Sequence, residues 1–301
     1  MVQESRTTEQ LADVSRGIDT WGDVEILAAL MAGQERAIAA VRSAIPRIAS
    51  AADSLAKRLA AGGRLAYAGA GTSIRIAVQD GSELPATFGM DENKIIYLIA
   101  GGKAAMFETL ADAEDDIRAG QRDAAQLLPT DTLIAVAASG RTPYTIAVAQ
   151  AAKAQGAYVI SVVNNSGTAL GALGDIEIVL ESGAEVIAGS TRMGAGTAQK
   201  AALNLLSTLT HIRLGAVHDG MMVNVQSGNI KLKHRAAEIV AKIAGVELQK
   251  AKQALGQSKE MVKPAILLCS GAPNFAAAQL LLEGTKGNLR LALTQLKQTQ
   301  I

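Results

Sequence analysis

The sequence predicts an α/β protein: a three-layer, doubly wound parallel sheet followed by a small C-terminal helical domain. Three observations carry this. Five short apolar runs each end near Gly, Ser or Asn, as expected of parallel strands covered on both faces. Ala-rich helical segments lie between most of them, the alternation of a doubly wound domain. Beyond about residue 229 the pattern is almost wholly helical.

Residues 1–22 read as a polar, irregular arm. From Asp23 to about Leu59, Ile26, Leu27, Leu30, Ile38, Val41, Ile45, Ile48, Leu55 and Leu59 recur at helical spacing. Pro46 marks a bend or break between two helices, or within one. The arm and these helices form a segment 1–60 that packs on the core. Strands follow at 64–70, 94–100, 131–139, 158–164 and 175–181, with helices at 103–118, 143–155 and 195–214, in an α/β domain 61–228. The segment DGSELPATFGM, 80–90, reads as a loop between helix and strand, because Gly81 and Pro85 flank Glu83. The helical domain 229–301 holds helices at 230–244, 247–255, 259–269, 273–283 and 287–297, punctuated by Gly245, Gly256, Gly271 and Gly284. AILLC, 265–269, is the one stretch there that could be a strand.

Composition excludes several classes. The 301 residues carry a formal net charge of +1 with aromatics at 3%, so neither the basic footprint nor the stacking platform of a nucleic-acid binder is present. The polar start MVQESRTTEQ has no signal-peptide core, and no apolar run is long enough for a membrane helix. The single cysteine, Cys269, forms no internal disulfide and reads as a small buried apolar residue, so the cytoplasm is the expected location. His211, His218 and His234 form no compact ligand pattern; no metal site is indicated, and His211, within an apolar helix, reads as structural.

Ligands of open parallel sheets bind beyond the carboxyl ends of the strands. Two strand exits suit an anion. Gly69-Ala70-Gly71-Thr72-Ser73 lets the backbone approach a ligand and adds two hydroxyls at a helix start. In Ser139-Gly140-Arg141-Thr142-Pro143, Pro143 suits the first helical position and Thr142 the N-cap. Ser139 and Thr142 can donate to phosphate, and Arg141 can pair with its charge or sit at a subunit contact. GAGTSI lacks the third glycine of a dinucleotide fingerprint, and no GxxxxGK[ST] occurs. Taken alone, either turn is only a turn. Glu83 and the acidic run at Glu108, Asp112, Glu114, Asp115 and Asp116 would alone be ordinary solvated carboxylates. They gain interest because both follow the phosphate-site elements, and two carboxylates in different environments can divide acid and base roles.

The combination GRLAYAGAGTS (63–73), DGSELPATFG (80–89), LIAGG (98–102), AEDD (113–116), AASGRTPY (137–144), GSTRMGAGTAQKAALNLLST (189–208), MMVNVQ (221–226) and NIKLKHRAAEIV (229–240) strongly resembles the N-acetylmuramic acid 6-phosphate etherase family, which uses the sugar isomerase fold. The N-terminal TEQ and the helical tail resemble it too, so the likeness covers nearly the whole chain. It implies a phosphorylated amino sugar as substrate, a lyase reaction with no redox cofactor and no metal, and a homodimer with active sites near the subunit interface. It implies Glu83 as the acid that helps lactate leave and Glu114 as the base at carbon 2, with Thr72, Ser73, Ser139, Arg141 and Thr142 on phosphate. The same likeness implies that Ser190 and Thr191 can reach substrate, and that Arg192 can bind it, fix the loop or organise a dimer interface.

The chain departs from the pattern at Ile74 and at Gly194, where glycine and lysine are usual. ADAEDD replaces EGAEDD, and SELPATFG replaces SECPPTFG. Two rival functions share these features. A phosphosugar isomerase of the same fold would release no lactate, and a non-catalytic sugar-phosphate-binding regulator would bind without turnover.

Overall fold

A computed structural model describes residues 7–10, 12, 15–110, 112–226 and 228–298. The chain gathers into two compact units, one of residues 1–81 and 93–207 and one of residues 82–92 and 208–301.

The first unit is built on a sheet of five parallel strands: β1 (Leu65–Gly69), β2 (Ile95–Ile99), β3 (Thr132–Ala137), β4 (Tyr158–Val163) and β5 (Ile176–Val179), in the order β2-β1-β3-β4-β5. All five expected strands are present. Every residue of β1 and of β3 is buried, which is why these runs are apolar without alternation. Gly69 is level with Ile99 on one side and Val136 on the other, so three strands end together and their loops emerge at one edge. The order reverses between β1 and β3, which makes that edge the switch point where such sheets take ligands.

Helix α1 (Asp23–Ala60) is one uninterrupted helix that packs against β5. Pro46 lies on its exposed side, where water can serve the carbonyl that proline leaves without a donor. The opposite stripe, including Val41, Ala44, Ile48 and Leu55, is buried and holds the helix together across the proline. Helix α2 (Gly71–Phe88) follows β1, α3 (Ile117–Ala124) precedes β3, α4 (Pro143–Ala154) follows it, and α5 (Ala169–Leu173) leads to β5. Helix α6 (Gly194–Arg213) closes the series. One face of the sheet forms a core with α4, from Ala66, Leu98, Leu133, Tyr144, Val148 and Leu170.

Two expectations fail here. The segment 80–90 is helical through Phe88: Leu84 and Phe88, one turn apart, are both buried, and their burial outweighs Gly81 and Pro85. The helix expected at 103–118 is instead a 3-10 turn Lys103–Met106, irregular chain, a second 3-10 turn Ala113–Asp115, and the start of α3. Gly101 and Gly102 have φ of +79° and +69°, and Asp112 takes the left-handed conformation at +60°, so the helix cannot run through. Ala111 lies outside the described residues.

The second unit holds a short hairpin, β6 (Val217–His218) with β7 (Met221–Met222), and the helices α7 (Ile230–Ala244), α8 (Leu248–Gln257), α9 (Val262–Cys269), α10 (Phe275–Gly284) and α11 (Leu289–Gln298). Their core joins Val223, Val225, Val240, Leu255, Ile266, Leu289 and Leu296. AILLC is helical, within α9. Cys269 is only partly buried, at the end of that helix where the chain turns outward. His211 is structural, stacked on Phe88 with ring centroids 4.5 Å apart. A cavity of about 490 Å³ lies in this unit, lined by Val223, Met261, Lys263 and Leu282 among others. Lys263 donates to the Gly287 carbonyl at 2.7 Å, and burial lowers its pKa to about 8.

Candidate active site

At the level edge of the sheet, β1 passes through Ala70 into α2. Gly71 opens the helix at φ +53°, a conformation that penalises any side chain. The N–H groups of the first turn have no helical acceptor, so they and the helix dipole favour an anion. Thr72 is half-buried and Ser73 buried at this turn. Ile74 is fully buried and lies behind Gly69, so the departure from glycine fills the core beneath the turn.

The second exit repeats the logic. Gly140 has φ +62°, and a β-carbon there would collide with the Thr168 side chain. Ser139 Oγ accepts from the Arg141 N–H at 3.2 Å, which folds the turn. Thr142 is the N-cap of α4 with Pro143 at the first helical position, yet its hydroxyl makes no capping bond. The Thr142 hydroxyl therefore stays available to a ligand, and the Arg141 side chain is exposed.

Glu114 comes to the first turn from another direction. It sits on the 3-10 turn Ala113–Asp115, exposed, and its Oε1 lies 3.1 Å from where a β-carbon on Gly71 would be. Asp116 caps α3 by accepting from the Ala119 N–H at 2.8 Å, which fixes the far end of this turn. Arg75 fixes the near side: its guanidinium donates to the carbonyls of Ala105 at 2.9 Å and Glu108 at 3.2 Å. Sequence reasoning passed over Arg75, whose role depends on a loop 30 residues away.

The segment Gly189–Arg192 leads into α6, whose first turn touches α2: a β-carbon at Gly196 would be 3.4 Å from Thr72 Cγ2 and 3.4 Å from the Thr191 carbonyl. Ser190 and Thr191 are half-buried and Arg192 is exposed. The start of α6 is already occupied by a protein anion. The buried Glu185 accepts from the N–H groups of Gly194 at 2.9 Å and Ala195 at 2.8 Å. A β-carbon at Gly194 would be 3.1 Å from this carboxylate. Glu185 was not legible as a site element, because nothing near it in sequence marks it as a cap.

The N-terminal arm also reaches this edge. Thr7–Glu9 forms a 3-10 turn, the Thr7 N–H donates to Asn165 Oδ1 at 3.1 Å, and the Gly189 N–H donates to the Thr8 carbonyl at 3.2 Å. Asn165 in turn donates to the Ala138 carbonyl at 2.9 Å. The arm thus ties the exits of β3 and β4 to the 189–192 loop; the expected irregular arm is ordered at these residues.

Thr72, Ser73, Glu114, Ser139, Arg141, Thr142, Ser190, Thr191 and Arg192 therefore lie at one edge of the first unit, Thr72 and Ser73 in the first turn of α2 and the rest on turns and loops. Glu83 is exposed on α2, in the part of the chain that clusters with the second unit. Among the described residues no group of three or more His, Cys, Asp or Glu could hold a metal ion. Among them, too, no helix is long and apolar enough to cross a membrane. The arrangement offers two helix starts and several hydroxyls to an oxyanion, with a carboxylate beside them.

Residues 47–153 match the family described as the glucokinase regulatory protein N-terminal SIS domain, and residues 108–209 match the SIS domain. The chain is 43% identical over 293 residues to an N-acetylmuramic acid 6-phosphate etherase of Streptomyces avermitilis, covering 96% of this chain and 94% of that one. It is 40% identical over 292 residues to the corresponding protein of Deinococcus radiodurans, covering 96% of each. A solved phosphoheptose isomerase from Francisella tularensis superposes with a TM-score of 0.49 at 21% identity, over 64% of this chain and 98% of that one.

Proposed function

Because the chain belongs to the N-acetylmuramic acid 6-phosphate etherase family, we infer that it is a carbon–oxygen lyase acting on a phosphorylated amino sugar. It cleaves the D-lactyl ether of N-acetylmuramic acid 6-phosphate and yields N-acetylglucosamine 6-phosphate and D-lactate. The observation that carries this is identity of 43% along nearly the whole length of an etherase.

The chemistry follows from the open-chain sugar. Its aldehyde acidifies the hydrogen at carbon 2, so neither a metal nor a redox cofactor is needed to make that proton removable. A base takes the proton, the released pair forms the double bond between carbons 2 and 3, and the carbon 3–oxygen bond breaks. The departing oxygen takes a proton from an acid and leaves as lactate. Water then adds at carbon 3 and a proton returns to carbon 2.

We assign the acid to Glu83 and the base to Glu114. What supports the part of Glu114 is that its exposed carboxylate stands beside the Gly71 turn, on the same edge as the hydroxyls. Thr72, Ser73, Ser139, Arg141 and Thr142 hold the phosphate, where charge-assisted bonds are strongest. Ser190 and Thr191 reach the substrate, and Arg192 binds it, fixes the loop or organises the dimer interface. The enzyme works in the cytoplasm as a homodimer.

The test is D-lactate release from N-acetylmuramic acid 6-phosphate, comparing the native protein with Glu83→Gln. Release by the native protein and near-loss in a folded variant is the expected result. Full activity in the variant removes the acid role. Binding of the sugar phosphate with no lactate from the native protein replaces the etherase with a sensor or an isomerase.

A further inference from the structure

Helix α1 has a second stripe that the protein's own core does not use. Val24, Met31, Ile38 and Ile45 recur every seven residues and are 83%, 58%, 49% and 50% exposed, with Leu27 at 64% three residues after the first. Seven residues are close to two turns, so successive members drift by only about 20° around the helix and the four side chains lie on one face. The core-facing stripe, with Ala37, Val41, Ala44 and Ile48, is distinct and fully buried. The α1 helix is therefore apolar on two sides.

The two ends of the outward stripe differ in charge. Asp23 and Glu25 stand at its start, and Arg42 and Arg47 at its end, all exposed. A second α1 laid antiparallel, with its midpoint between Gln34 and Glu35, sets Val24 against Ile45 and Met31 against Ile38. The same placement brings each acidic end beside the basic end of its neighbour. Laid parallel, the stripe meets like charge at both ends, which is unfavourable. A face that complements itself under a two-fold rotation is the requirement for a closed dimer.

We propose that this face of α1 docks on α1 of a second copy of the chain as an antiparallel seam. The proposal gives a surface to the homodimer of the functional reading and rests on it in that respect alone.

The full chain is tested by light scattering together with Met31→Glu/Ile38→Glu. The native protein is expected to be dimeric, and the variant monomeric with unchanged circular dichroism, since both side chains point outward. Oxidative cross-linking fixes the direction. In an antiparallel pair Met31 lies opposite Ile38 of its neighbour, whereas the two copies of Met31 are about 10 Å apart along the axis. A disulfide needs Cα atoms within about 7 Å. The Met31→Cys/Ile38→Cys chain should therefore cross-link rapidly and the Met31→Cys chain only as slowly as the native protein, whose Cys269 is the background. A monomeric native protein, a glutamate variant that stays dimeric, or rapid cross-linking through Met31→Cys alone overturns the seam. Lactate release is scored separately: a monomer that releases lactate sinks the seam and leaves the etherase, and a dimer that releases none does the reverse.

Discussion

The carboxylate of Glu114 stands 3.1 Å from the position that a β-carbon on Gly71 would take. Gly71→Ala therefore does two things. It places a side chain at φ +53°, at a cost of about 1 kcal/mol, and it pushes Glu114 away from the turn. The expected outcome is a folded protein whose kcat/KM for lactate release falls about 10- to 100-fold, since small misplacements at a reacting centre are that costly. Steady-state kinetics beside a melting curve checks it; unchanged kinetics would separate Glu114 from the reaction.

Ile74 departs from the family pattern beside the phosphate turn, yet its side chain is wholly inside. Ile74→Ala is expected to lower stability by about 3 kcal/mol through the cavity it opens, with KM for the sugar phosphate unchanged. Urea denaturation and initial rates measure both. A shifted KM with little loss of stability would move Ile74 from the core to the pocket.

The carboxylate of Asp131 is buried and bound by the Arg64 guanidinium at 2.6 Å and by the N–H groups of Leu128 at 2.8 Å and Arg64 at 3.0 Å. Burial alone would raise its pKa, but these hydrogen bonds and the Arg64 charge bring it below the ordinary value. A depressed folded pKa gives stability that is present above the unfolded value, about 3.9, and is lost as pH falls through the folded one. Asp131→Asn should cost about 2 kcal/mol at neutral pH and flatten the acid limb of the stability curve below pH of about 4. An acid limb of unchanged slope would refute the assignment.

Lys263 gives the opposite sign. Its folded pKa is about 8 against an ordinary 10.5, so between those values the unfolded chain holds a proton the folded one has shed. Stability therefore climbs as pH rises through this window. The Tm of the native protein relative to Lys263→Met should rise by about 2 °C from pH 8 to pH 10. Parallel curves for the two proteins would show that the amine is solvated.

How much of this was legible depended on how local the cause was. The five strands were plain because burial on both faces writes an apolar run directly into each. The 80–90 segment misled because its breakers, Gly81 and Pro85, are local whereas the burial of Leu84 and Phe88 is not. The hairpin at Val217–Met222 was missed: each strand is only two residues long, and its signal is the Asp219-Gly220 turn, both at positive φ. Within the site, the hydroxyl-rich turns announce themselves as anion seats. Arg75, Glu185 and Asn165 do not, since each acts on backbone that the fold alone brings near.

The bond from Thr7 to Asn165 spans 158 positions, and Thr8 meets Gly189 still later in the chain. On a ribosome adding roughly 5–20 residues per second, the arm waits about 10–40 s for the strand exits it will strap together. The rim therefore cannot be latched before residue 189 has been made, however early the arm itself is ready.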